Sequence, residues 1–302
     1  MSTSYHVAVI GLGAMGMGAA RSCLRAGLTT YGIDLSEQAR NQLQQAGAAA
    51  VMADARPLAE TLDAVLLLVV NATQVRRILL GEEGLARHLK PGTAIMVSST
   101  IAAEEASTLA AELAQLGLPM LDAPVSGGAI KADAGEMTVM AAGSDAAFDK
   151  LAPVLDAVSG KLYRVGSEPG QGSTVKIIHQ LLAGVHIAVA AEAMALASRA
   201  GVSLDLMYDV VTHAAGNSWM FENRMPRVLT GDYQARSAVD IFVKDLTLVA
   251  DTAKALRFPL PLASTALNMF LGASNAGHGQ EDDSAVIKIF SGIQLPGQED
   301  QA

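Results

Sequence analysis

Val7-Ala-Val-Ile10-Gly11-Leu-Gly-Ala-Met-Gly16 sets the architecture of this chain, because an apolar run enters a glycine turn and leaves it as the helix-like segment Met15 to Ala26. The pattern G-x-G-x-x-G is weak on its own. Between a strand and a helix it reads as the turn that holds a dinucleotide. Gly11 permits the tight bend, Gly13 lets the backbone approach a pyrophosphate, and Gly16 lets the helix pack closely on the strand. Leu12, Ala14 and Met15 fill the remaining positions, and the helix N-terminus offers its amides to phosphate.

Moving outward, Asp34 closes the next strand, Thr29 to Ile33. It stands about 20 residues beyond the turn, where a carboxylate accepts hydrogen bonds from the adenosine ribose. A 2'-phosphate would be repelled there. Leu35 and Ser36 follow directly and Arg40 lies a full turn further on, so NAD is expected rather than NADP. Asp34 also suits the N-cap of a helix over Ser36 to Ala46, and one residue can serve both purposes.

The first half continues to alternate β-rich runs with helical patterns, which predicts parallel strands and crossover helices. Further strands are expected at Ala64 to Val70, Thr93 to Val97, Pro119 to Leu121, Thr138 to Ala142 and Leu162 to Val165. The unbroken apolarity of Ala64 to Val70 marks a central strand covered on both faces. Helices are expected over Glu37 to Ala46, Ala102 to Gln115 and Ala146 to Val158. Strand signals stop after Gly166-Ser-Glu-Pro-Gly170. A helix of about 30 residues then runs from Gly172 to Ala200, about 45 Å at ~1.5 Å per residue. More helices follow at about Leu204 to Ala214, Asp240 to Leu256, Pro261 to Ala273 and Ser284 to Ser291. The expected division is an α/β cofactor domain over 1–168, an all-helical domain over 169–292 and a disordered tail over 293–302.

Composition narrows the function classes. The 302 residues carry a formal net charge of -9 and no basic stripe, which argues against nucleic acid and anionic membrane as partners. Cys23 is the single cysteine, sits in the first helix and cannot form an internal disulfide, so a reducing compartment is expected. Met1 to Tyr5 has no basic region or cleavage-like site, and a cytoplasmic protein is expected. Leu181 to Ala197 is apolar enough to mimic a membrane span but contains His186 and Glu192, and it reads as a buried helix. A helix apolar all round must be central to a fold or to an oligomer.

Candidate site residues gather at the ends of the expected strands. Val70 and Asn71, with Ala72 and Thr73, follow the central strand, and Ser98-Ser-Thr100 follows the next one, where an open sheet places its ligand. Each polar residue there would also make an ordinary cap. Asp122-Ala-Pro-Val-Ser-Gly-Gly128 ends another strand and can present backbone amides to a carboxylate through Ser126, Gly127 and Gly128. Lys176 is the only cation in the first half of the long helix, a place lysine rarely enters, although a snorkelling lysine is the plainer reading. Gln180 lies one turn later with His179 beside it, and Gly184 is expected to leave room above them. His179 and His186 could share a face, but no carboxylate at ligand spacing completes a metal site. Lys244 is the second lysine. If it lay near Lys176, each would lower the other's proton affinity. Asn217, Ser218, Trp219 and Phe221 are weaker pocket candidates, as compatible with packing as with binding.

Taken together, the glycine turn, the loop from Asp122 to Gly128, Gly172-Ser-Thr-Val-Lys176 and Lys244-Asp-Leu246 resemble the β-hydroxyacid dehydrogenase (3-hydroxyisobutyrate dehydrogenase-like) family, from about Val7 to Phe290. The resemblance implies a Rossmann-like domain, a long interdomain helix and a helical domain that builds a homodimer or homotetramer. It implies NAD-dependent oxidation of a small hydroxy acid, with Lys176 as general acid-base, Ser126 to Gly128 on the substrate carboxylate, Thr100 on the nicotinamide side and Lys244 near cofactor and substrate. Where most members carry asparagine one turn after the lysine, this chain has Gln180, preceded by His179. These longer polar groups suit a polyhydroxylated four-carbon acid oxidised at its 2-hydroxyl. A 3-hydroxy acid dehydrogenase or semialdehyde reductase is the same-family alternative. An imine reductase usually lacks the lysine retained here, and a non-catalytic NAD-binding sensor would need no such lysine.

Overall fold

The structure, a computed structural model, describes residues 4–296. It divides into two units, the boundary falling between Lys176 and Ile177.

The first unit is an α/β fold around a nine-stranded sheet. Its strands are β1 (His6–Ile10), β2 (Thr29–Ile33), β3 (Ala50–Met52), β4 (Ala64–Leu67), β5 (Ala94–Val97), β6 (Met120–Asp122), β7 (Val125–Ser126), β8 (Met137–Ala142) and β9 (Ser159–Gly166). The order is β3-β2-β1-β4-β5-β6-β8-β7, with β9 paired to β8. The first six strands are parallel in the 3-2-1-4-5-6 order of a dinucleotide-binding sheet, while β8 runs antiparallel to β6 and β7. Residues alternate between the faces: Val7, Val9, Leu66 and Met96 enter one core, and Ala8, Ile10, Val65, Leu67, Ile95 and Val97 the other. Burial on both faces is why β4 and β5 are apolar at every position.

The helices of this unit are α1 (Ala14–Arg25), α2 (Glu37–Gln45), α3 (Ala72–Leu80), α4 (Ala103–Gln115), α5 (Gly128–Ala134) and α6 (Asp145–Val158). Its last residues begin α7 (Gln171–Arg199).

The second unit is helical. It holds the remainder of α7 with α8 (Leu204–Thr212), α9 (Trp219–Thr230), α10 (Val239–Ala255) and α11 (Pro261–Ala273), then a 3-10 turn over Asp283–Ile289. Its core includes Ile187, Met194, Met225 and Val286, with Phe242 stacked on Phe270 at 5.2 Å between ring centroids. Arg224 grips Asp283 bidentately, Nε to Oδ1 at 2.7 Å and Nη2 to Oδ2 at 3.0 Å, and Arg227 pairs with Asp282, so the 3-10 turn is pinned to α9 by two ion pairs. Burial raises the Asp283 carboxyl above its usual range. Burial pushes Asp282 the same way, but its bonds to Arg227 and Ser284 hold it below. By length and composition α7 could cross a bilayer, yet half of its most apolar stretch is buried inside the protein.

Several elements depart from expectation. The central strand stops at Leu67 rather than Val70, and β3, β7, α3, α5 and α9 are additional. Polar or helix-breaking residues conceal these helices: Asn71 caps α3, Gly127 and Gly135 bracket α5, and Pro226 lies inside α9. Ser284 to Ser291 becomes a 3-10 turn. The tail expected to be disordered from 293 starts against the helical core: Leu295 is buried, and the Gln294 amide donates to Ser198 Oγ at 3.0 Å. Residues 297–302 lie outside the described part.

Candidate active site

The glycine turn is built by backbone requirements. Gly11 sits at φ +90° and donates its amide to Ile33 O at 2.9 Å. A Cβ on Gly16 would collide with the Gly11 carbonyl just beyond β1, so this glycine lets α1 approach the strand end. Close packing of α1 on α5 depends in addition on Gly18, where a Cβ would lie 2.5 Å from Asp133 N and 2.7 Å from the Ala132 carbonyl carbon. α5 therefore rests directly on α1.

At the other end of the turn, Gly13 is the N-cap of α1, with no side-chain cap and no acid in the first helical turn. The exposed amides keep their positive potential. A Cβ at Gly13 would meet nothing within 4 Å. Beside it opens a hollow of about 330 Å³, lined by Leu12, Gly13, Ala14, Met17, Gly18 and Arg21, with Gln42, Ala129 and Asp133 completing it. Uncapped amides facing open space fit a pyrophosphate.

Asp34 reaches back into this turn. Its Oδ2 accepts from Leu12 N at 2.7 Å and its Oδ1 from Ser36 N at 2.7 Å. The N-cap of α2 is Ser36, which accepts from Ala39 N, so Asp34 is not the helix cap. Each carboxylate oxygen has a second lone pair for a ribose hydroxyl. Arg40, expected to stand away, curls back to donate to Asp34 O at 2.7 Å and Leu35 O at 2.9 Å.

Along the carboxyl edge of the sheet, Asn71 Oδ1 accepts from Gln74 N at 2.9 Å and so caps α3, while Val70 is half-exposed beside it. After β5, Ser98 Oγ donates to Ala123 O at 2.9 Å. Ser99 Oγ is buried without a hydrogen-bond partner, the kind of orphan a bound ligand would satisfy. Thr100 follows it, partly buried. Residues at this edge thus fit a dinucleotide at both ends of the turn's crevice.

The loop after β6 also belongs to the first unit. Ser126 pairs with Thr138 across β7 and β8, then Gly127 and Gly128 adopt φ +134° and +73° in succession. Space beside Gly128 is open, so its backbone conformation rather than crowding demands glycine. Asp122 at the root of this loop is fully buried. Its Oδ2 accepts from Gly170 N and Ser173 N, both at 2.8 Å, and its Oδ1 from Ser173 Oγ at 2.7 Å. Burial raises its carboxyl above the ordinary value against the pull of these donors. Lys176 follows in the same helix and is only 6% exposed. That is not a snorkelling surface lysine.

In the second unit four polar residues form a chain. His179 Nδ1 meets Gln180 Oε1 at 3.0 Å, Gln180 Nε2 donates to Asp245 Oδ2 at 2.5 Å, and Lys244 Nζ lies 2.7 Å from Asp245 Oδ1. His179, Gln180 and Lys244 were each singled out from sequence. Asp245 joins them as a residue that motif reading alone does not mark, its local signal being a carboxylate beside the candidate Lys244. Gly184 leaves no room: Leu246 packs against it, 2.9 Å from where a Cβ would stand. Phe221 is core, stacked on Tyr208, whereas Trp219 is exposed. Among the described residues, no group of three or more His, Cys, Asp or Glu could hold a metal ion.

Comparison with known proteins agrees with this geometry. A family model described as the NAD binding domain of 6-phosphogluconate dehydrogenase matches residues 6–166. A second, described as NAD-binding of NADP-dependent 3-hydroxyisobutyrate dehydrogenase, matches residues 170–290. The chain is 72% identical to the L-threonate dehydrogenase of Escherichia coli O6:H1 over 98% of each protein. It is 55% identical to that of Cupriavidus necator, over 97% of this chain and 99% of the relative. A crystal structure of 3-hydroxyisobutyrate dehydrogenase from Salmonella typhimurium superposes with a TM-score of 0.92 at 69% identity, covering 95% of this chain and 100% of that one.

Proposed function

The chain belongs to the β-hydroxyacid dehydrogenase family and is an NAD(P)-dependent oxidoreductase acting on a hydroxy acid; from that premise we propose that it oxidises L-threonate at C2 with NAD, giving 2-dehydro-L-erythronate. The observation that carries the catalytic reading is the buried Lys176, one helical turn beyond the helix start that Asp122 holds. The substrate reading draws on the L-threonate dehydrogenases at 55% to 72% identity. The polar pair His179 and Gln180 adds donors and acceptors suited to several hydroxyls.

When bound, the nicotinamide supplies the hydride acceptor. The neutral amine of Lys176 takes the C2 hydroxyl proton as the C–O bond becomes a carbonyl, and returns it in the reverse direction. Ser126 and the backbone of Gly127 and Gly128 receive the substrate carboxylate. For His179, Gln180 and Lys244 the proposed substrate roles are those that the family resemblance implies, with Asp245 orienting Lys244. Gly11, Leu12, Gly13, Ala14, Met15 and Gly16 with Asp34 hold the pyrophosphate and adenosine ribose, while Val70, Asn71 and Thr100 border the nicotinamide half. The preference for NAD rests on the Asp34 carboxylate, which opposes a 2'-phosphate more directly than Arg40, already engaged with two carbonyls, would attract one. The partner is a small hydroxy acid. The working form is a cytoplasmic homodimer or homotetramer, with neither nucleic acid nor membrane as partner.

Lys176→Ala tests the assignment. Turnover of L-threonate should fall about 10²- to 10⁴-fold, the range for losing a positioned acid-base group, while NADH titrated by fluorescence binds almost as before. Near wild-type turnover in that variant sinks the reading. The name of the Salmonella structure favours a second reading, a 3-hydroxy acid dehydrogenase, with tartronate semialdehyde reductase as its reductive counterpart. Steady-state rates on a panel of 2- and 3-hydroxy acids with NAD and NADP separate these. Cofactor binding without turnover on any acid would instead indicate a sensor.

A further inference from the structure

We propose that Asp122 is a positioning residue that couples the substrate loop to the lysine helix, holding Lys176 in register with Ser126, Gly127 and Gly128. The inference rests on the roles given to those residues above.

Asp122 belongs to both parts. Its backbone ends β6 and begins the loop that reaches Ser126, whereas its side chain accepts from three donors at the start of α7: Gly170 N and Ser173 N on Oδ2, Ser173 Oγ on Oδ1. Ser173 lies three residues before Lys176, one helical turn away. The loop root is immobile in its own right. Ala123 N donates to Val97 O at 2.8 Å, Ser98 Oγ to Ala123 O at 2.9 Å, and Met140 N to Pro124 O at 3.0 Å, so β5 and β8 clamp it from both sides. The helix start is equally constrained. A Cβ on Gly172 would strike Asp122 O and stand 2.6 Å from Met140 O, so α7 begins in direct backbone contact with the sheet.

A buried carboxylate is a costly choice for simple packing. All three donors are neutral, and an amide or an apolar side chain would be desolvated more easily. What the carboxylate adds is an acceptor with two oxygens, strong bonds to N–H and O–H donors, and a negative charge against a helix N-terminus. Those properties fix the axial position and rotation of the first turn of α7. Lys176 inherits that rotation through the rigid helix. A shift of about 1 Å between a reacting group and its acid-base can cost about 10²-fold in rate, which gives such an anchor catalytic weight.

The test compares Asp122→Asn, Ser173→Ala and Lys176→Ala in the full-length protein. Asparagine keeps one acceptor oxygen but presents an N–H where the second oxygen was, so the helix start must rotate or leave a donor unmet. Asp122→Asn should lower kcat about tenfold or more, with NADH affinity by fluorescence unchanged and the primary isotope effect from C2-deuterated L-threonate increased as the chemical step becomes limiting. Ser173→Ala, which removes only the bond to Oδ1, should show the same pattern about threefold in size. Loss of kcat that merely tracks a lower folded fraction, with the isotope effect unmoved, assigns Asp122 to support alone and overturns the proposal. Wild-type kcat and isotope effect in Asp122→Asn, with Lys176→Ala inactive, overturn it while leaving the lysine reading intact. Should Asp122→Asn fail to fold, unchanged kinetics in Ser173→Ala overturn it. An active Lys176→Ala removes the premise itself.

Discussion

Asp34 already holds two backbone amides, those of Leu12 and Ser36, so its carboxylate is oriented whether or not a ribose is present. The same side chain thus closes the glycine turn and, on the proposed reading, opposes the 2'-phosphate of NADP. Asp34→Ser is expected to raise KM for NAD about tenfold or more, as charged hydrogen bonds of about 1.5–3 kcal/mol to the ribose are lost, and to narrow the preference over NADP. Steady-state kinetics with both cofactors check this, and an unchanged NAD to NADP ratio would show that Asp34 is a turn residue only. Position and spacing made Asp34 legible in the sequence. Asp245 carries a local signal in its neighbour Lys244, but its bond to Gln180 and the acceptor role of Asp122 were not legible, because those donors lie 65 and 48 residues away in the chain.

Among the elements, α1 shows how a glycine inside a helix is kept against its propensity. Exchanging an exposed helical glycine for alanine stabilises by about 1 kcal/mol. Gly18 reverses that sign because α5 backbone occupies the place of its Cβ, 2.5 Å away at Asp133 N. Gly18→Ala should therefore destabilise by about 1–3 kcal/mol, the usual cost of overpacking, and lower the midpoint of thermal unfolding. Because α5 starts at Gly128, activity measured below the transition should fall as well. A melting temperature at or above wild type would show that α5 yields easily. The glycine pattern from Gly11 to Gly16 is visible in the sequence, but Gly18 is not marked by it, because the α5 backbone that fills the place of its Cβ lies more than 100 residues further along the chain. Gly184 was misjudged for the same reason, since the Leu246 side chain that fills its space comes from α10.

At the scale of the whole molecule, α7 carries an apolar stripe that the described residues do not cover. Ile178, Leu182, Val189 and Leu196 are each more than half exposed, and the last three recur every second turn on one face. Covering each in an interface would contribute about 1.5–3 kcal/mol, enough in sum to make association the resting state. Light scattering on the purified protein should give twice or four times 31.2 kDa, and replacing Leu182 and Val189 with glutamate should shift it towards monomer. A monomeric wild type at micromolar concentration would contradict this. The sequence indicated the stripe through a helix apolar all round, but not which residues of that helix stay uncovered.

What the sequence alone determined is the change from alternating strands and helices to helices only, the dinucleotide turn and the candidacy of Lys176, because apolar periodicity, glycine spacing and a cation in an apolar helix are local signals. The tertiary structure alone decided that Asp122 caps α7, that Asp245 joins Gln180 to Lys244, and that Gly18 and Gly184 are sites of close approach. Those facts depend on satisfying buried polar groups and filling space between segments far apart in the chain. Folding settles such partnerships in three dimensions, where neighbours along the sequence carry no record of them.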